Sequence, residues 1–86
     1  MIDLDCGIAM ARIEEWLDGE LGLPMLDAGW TFPTDGGSCQ VRLEPLANRR
    51  LGQVQLERTR LVGEGDADAL EAFYKLFTLR FLSAGG

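Results

Sequence analysis

The side chains of this 86-residue chain with the chemistry for nucleophilic attack are Cys6, Cys39, Ser38 and Thr34, and there is no histidine to activate any of them. Histidine is the commonest general base near neutral pH and the commonest transition-metal ligand, so its absence removes much of acid–base and zinc chemistry. The two cysteines fall in different expected elements with no CxxC spacing. That marks them as small buried residues of a reduced protein, not as a metal pair or a disulfide. Asp66 and Asp68 suit a helix start better than a hard cation. Gly36-Gly37 and Gly63-Glu64-Gly65 lack the lysine and the strand–loop–helix setting of a phosphate cradle, and Glu64 opposes an anion. The sequence therefore predicts a non-enzyme with no catalytic residue, no metal ligand and no cofactor.

Two groups of residues remain that could recognise a partner. Arg42, Arg49, Arg50, Arg58 and Arg60 share their stretch with only Glu44 and Glu57, a local balance of +3 in a chain of net charge −6, so the rest carries −9. Arginine offers bidentate donors and stays charged, so these five could hold phosphates or an acidic peptide. The simpler use is pairing with Glu44, Glu57 and the acidic helices, with edge-strand charge deterring aggregation.

The second group lies between Leu70 and Leu82. Wound at ~100° per residue, its apolar side chains cover roughly 220° of the circumference, more than one packing face needs. Phe73, Phe77 and Phe81 divide between core and interface in this reading. Leu76, Leu79 and Leu82, with Arg80 inside the apolar arc, are the other interface candidates. Arg80 needs an anionic partner, with Glu15 or Asp18 on the first helix or a dimer seam as the candidates. So apolar a helix in so short a chain points to self-association as a homodimer.

The elements that must position these groups follow from periodicity. Cys6, Ala9, Met10, Ile13, Trp16 and Leu17 recur at helical spacing, which predicts a helix from Asp5 to about Leu21 with Asp3 or Asp5 capping it. Met25 to Thr34 reads as one strand, with Pro33 marking an edge or a bulge. Cys39, Val41 and Leu43 alternate with polar residues up to Pro45, Asn48 to Gly52 reads as a turn, and Val54 and Leu56 open a third strand. The alternation slips after Leu56, which predicts a bulge near Arg58. Asp68 and Glu71 match a capping box for the last helix.

The result is a single α+β domain over 1–86 with the order α-β-β-β-α: a three-stranded antiparallel sheet with two helices packed on one face. This order is similar to that of the double-stranded-RNA-binding domain, whose last helix begins with a lysine-rich patch. Here that position holds Glu64, Asp66, Asp68 and Glu71, which repel a nucleic-acid backbone, so RNA binding does not carry over. Gly85-Gly86 resembles the tail of the ubiquitin-like sulfur carriers, yet a helix precedes it and Gly85 also serves as a helix stop.

No apolar run approaches the ~18 residues of a membrane span, and the start Met1-Ile2-Asp3-Leu4-Asp5 is acidic where a signal peptide is basic, so the expected compartment is the cytoplasm. The functional expectation is a small protein–protein interaction or adaptor protein, homodimeric through the C-terminal helix. The alternative is an anion- or nucleic-acid-binding module on the five arginines.

Overall fold

A computed structural model describes residues 1–27 and 29–82. The chain opens with strand β1 (Ile2–Cys6), followed by helix α1 (Met10–Glu15), which continues as a π-helical turn over Trp16–Glu20. Four strands come next, β2 (Met25–Leu26), β3 (Gly29–Thr34), β4 (Gly37–Leu51) and β5 (Val54–Gly65). Helix α2 (Ala67–Phe77) then runs into a second π-helical turn over Thr78–Leu82. The strands form one antiparallel sheet in the order β1-β5-β4-β3-β2.

The α+β class stands, but the expected three-stranded sheet is corrected to five strands. The first addition is β1. Ile2, Leu4 and Cys6 alternate with Asp3 and Asp5, which is strand periodicity, and the segment pairs with Thr59–Gly63. The helix therefore starts at Met10, not Asp5, and the two aspartates are strand residues, not caps. The second addition comes from Met25–Thr34, which folds back on itself so that Met25 pairs with Trp30 and Leu26 with Gly29. Asp27 in this turn has φ +50, a left-handed conformation that aspartate tolerates better than most residues. β2 covers only Gly29 and Trp30, so at Pro33 the edge of the sheet is β3 itself.

Both helices pack on one face of the sheet. Ile13, Trp16 and Leu17 of the first, with Leu70, Phe73 and Phe77 of the second, join Trp30, Phe32, Cys39, Val41 and Leu61 in one buried cluster. Trp16 is its hub, with ring centroids 5.8 Å from Phe73, 6.0 Å from Phe77 and 5.4 Å from Phe81. Thr59 is fully buried, and its hydroxyl donates to the Ile8 carbonyl at 2.7 Å.

β5 meets α2 at a close junction. Gly65 has φ +144, and a Cβ there would lie 2.5 Å from both the Cys39 Cα and the Ser38 carbonyl oxygen, so no side chain fits. Asp66, not Asp68, is the N-cap residue, and its carboxylate accepts from the Ser38 backbone N–H at 2.9 Å across the junction. The reading of Gly85-Gly86 lies outside the described residues.

β4 and β5 run on beyond the rest of the sheet. β3 pairs with β4 only over Gly37–Val41, and β1 with β5 only over Thr59–Gly63, so residues 46–57 form a two-stranded arm with no strand neighbour on either side among the described residues. The expected turn at Asn48–Gly52 is instead part of the ladder. Leu51 pairs with Val54 and only Gly52-Gln53 turns, with Gly52 at φ +62. Pro45 does not end β4. It sits past the last β3 partner, where its missing N–H is accommodated at an open edge.

Candidate interaction surfaces

Three surfaces carry the residues singled out by the sequence. On α2, Phe73 and Phe77 are buried in the subunit's own core. Leu76, Leu79 and Leu82 are 39%, 69% and 56% exposed. Leu76 is in the last turn of α2 and Leu79 and Leu82 are in the π-helical turn, so the three leucines form a stripe that winds over roughly 120° or more of the circumference. Arg80 is tied within the subunit, its Nε 3.1 Å from a Glu20 carboxylate oxygen and its guanidinium 5.0 Å from the Phe81 ring centroid. The partner is thus Glu20 in place of the expected Glu15 or Asp18. Asp18 instead accepts from Trp30 Nε1 at 2.6 Å.

The second surface is the sheet face away from the helices. Alternation along β1, β5 and β4 puts Asp3, Asp5, Arg58, Arg60, Arg42 and Glu44 on it. Arg60 lies 2.7 Å from Asp3 and 3.4 Å from Glu44, and Arg58 pairs with Asp5 while its Nη1 donates to the Ala47 carbonyl at 3.3 Å. Hydrogen bonds from Arg60 and Arg58 hold the Asp3 and Asp5 carboxyls below the usual carboxylate range. Two of the five arginines are thereby neutralised. Arg42, Arg49 and Arg50 have no ion-pair partner among the described residues. The Arg42 stem lies over Gly29, its Cγ 3.0 Å from where a Cβ would stand.

The third surface is the arm. Leu46 pairs with Arg58 but Arg49 with Leu56, so Ala47 and Asn48 together oppose the single residue Glu57. The bulge falls beside Arg58, as expected, but the extra residue belongs to β4 and β5 runs through without interruption. Its even-numbered residues Val54, Leu56, Arg58 and Arg60 therefore all stand on the outer face. The bulge rotates β4 so that Arg49 and Leu51 join them, while Arg50, Gln55 and Glu57 turn to the other side. The arm is amphipathic, and its apolar side is open: Leu51, Val54 and Leu56 are all exposed. At its root is a cleft of about 540 Å³ lined by Asp5, Gly7, Arg49, Leu56 and Arg58.

The sequence signal for this surface was the parity slip after Leu56. A strand whose apolar residues change parity either contains an extra residue or changes the side that needs covering, and here β5 does the latter. Cys6 and Cys39 are free and buried, and burial pushes both thiols up, which keeps them protonated and poor nucleophiles. Among the described residues no group of three or more histidine, cysteine or carboxylate side chains is placed to hold a metal ion, and no helix is long and apolar enough to cross a membrane. Compared with protein-family models, curated proteins and solved structures, the chain matches none.

Proposed function

We propose that this protein is a non-catalytic protein–protein interaction module that works as a homodimer through the outer flank of α2. The observation that carries this reading is the uncovered Leu76-Leu79-Leu82 stripe, on a helix whose aromatic side is already used by the core. Single exposed leucines are ordinary on protein surfaces, whereas a continuous stripe marks a surface that another molecule covers. The stripe belongs to one helical segment, so two copies related by a two-fold axis can lay it against itself. The free cysteines support a reducing compartment, the cytoplasm.

The nucleic-acid alternative is weaker by its charge balance. Three arginines without carboxylate partners release counterions from at most about three phosphates, in a chain of net charge −6. Light scattering over a wide concentration range tests the dimer. Twice the chain mass is expected for the wild type, and a folded single chain for Leu79→Glu. A mass of one chain at every concentration, or unfolding of the Leu79→Glu variant, overturns the reading.

A further inference from the structure

The outer face of the sheet carries a series of carboxylate–arginine pairs that stops one step short. In β1 every second residue is an aspartate whose carboxylate reaches diagonally along β5: Asp3 to Arg60, then Asp5 to Arg58. One more step along β5 is Leu56, and its partner across the ladder is Arg49. β1 offers nothing there. At the next outward position it has Gly7, where the chain leaves the sheet for α1 and where a Cβ would meet no atom within 4 Å. The 540 Å³ cleft occupies this place, beside the stretch of β5 from Val54 to Arg58 that has no strand neighbour on the β1 side among the described residues. Arg49 lies close enough to help depress the Asp5 carboxyl, yet it has no ion-pair partner of its own among the described residues.

We propose that this cleft is a binding site for an extended, acidic segment of a partner protein, which adds as a strand to β5 in line with β1 and places a carboxylate on Arg49. Three features select that ligand. The open backbone edge of β5 from Val54 to Arg58 matches another strand, the mode in which main-chain hydrogen bonds supply affinity and alternate side chains supply specificity. Arg49 supplies a cation at the cleft with no ion-pair partner among the described residues, in a chain of net charge −6. Leu56 and Val54 share the outer face with Arg49, so they offer an apolar surface to the ligand's neighbouring outward residues, two positions from the one that meets Arg49. The ligand's pattern is one aspartate or glutamate facing Arg49, with apolar residues at the next outward positions over Leu56 and Val54. A duplex nucleic acid does not fit a track one strand wide.

A fluorescein-labelled peptide with one aspartate, leucine two positions to either side of it and serine in between, blocked at both ends, is the probe, read by anisotropy against the full chain. Saturable binding is expected, with gained exchange protection at the amides of residues 54–58. Arg49→Glu should weaken it roughly tenfold or more. Lysine in place of the peptide's aspartate should abolish it, as should proline at a central position, which removes a ladder donor. Arg49 is exposed, so the variant should fold. If circular dichroism shows that it does not, Arg49→Gln gives the same readout.

Equal binding by wild type and the Arg49 variant, indifference to the proline, or no saturable binding overturns the proposal. A change in the mass of the peptide-free protein on Arg49→Glu also overturns it, because the occupant is then a second copy. Leu79→Glu should bind the peptide as the wild type does. This keeps the site's failure separate from that of the α2 dimer, while loss of binding in the folded Leu79→Glu variant would place the peptide elsewhere.

Discussion

Thr59 is a polar residue in an apolar core, and its place there depends on one hydrogen bond. The residue is fully buried on β5, opposite Cys6 of β1, and its hydroxyl satisfies the carbonyl of Ile8 where the chain turns from β1 into α1. Thr59→Val keeps the shape and leaves that carbonyl without its partner. A loss of about 1–3 kcal/mol of stability is expected, measured as a lower urea midpoint with an unchanged slope. Asp3 and Asp5 make a different kind of contribution. Their carboxyls titrate below the usual range because Arg60 and Arg58 bind the charged form. A depressed folded pKa stabilises the fold above the unfolded value, about 3.9, and that stability is lost as pH falls through the lower folded value. Thermal melts of an Asp3→Asn, Asp5→Asn double variant should therefore depend less on pH below about 4 than those of the wild type. The presence of ion pairs among the arginines was legible in the sequence, and so was Glu44, which pairs with Arg60, but the partners Asp3 and Asp5 were not. Asp3 and Asp5 lie more than fifty positions from Arg60 and Arg58, and only the β1–β5 ladder brings them together.

The arm is an element whose stability the rest of the fold does not share. A two-stranded ribbon without a third strand or a covering helix is marginal in water, and residues 46–57 have neither. Amide exchange at Arg50 and Gln55 should be faster by orders of magnitude than at Val41 and Leu61, which lie in the core of the same two strands. Comparable protection at both places would show that something holds the arm.

This element also marks the limit of what the sequence disclosed. The alternation in Cys39–Leu43 and in Val54–Leu56 was readable, as was the helical spacing of α2. Asn48, Pro45 and Gly52 look like punctuation, and only the paired ladder through them shows that one is a bulge residue, one an edge proline and one a true turn. β1 was missed for the opposite reason. Its alternation is plain, but Cys6 also fits the helical spacing of Ala9, Met10 and Ile13, and a five-residue strand competes poorly with a longer periodic run.

At the scale of the whole molecule, size and shape bear on the dimer. A compact chain of this length has a radius of gyration of about 12 Å, whereas this one has 13.4 Å and a longest dimension of 46 Å. The shape is that of a small body with a projecting arm, so its core is built from little more than the helix layer and the inner sheet face. In so small a body, apolar surface left on α2 is a large share of what could have been buried. If two copies cover the Leu76-Leu79-Leu82 stripe in each other, folding and association are linked. The melting temperature of the wild type should then rise with protein concentration, because the partner binds only the folded state. Leu79→Glu should melt at one temperature over the same range and below the wild type's upper value. A wild-type melting temperature that stays constant over a hundredfold change in concentration would mean that the stripe is exposed in solution. The helix would then be apolar on that flank for a partner other than itself.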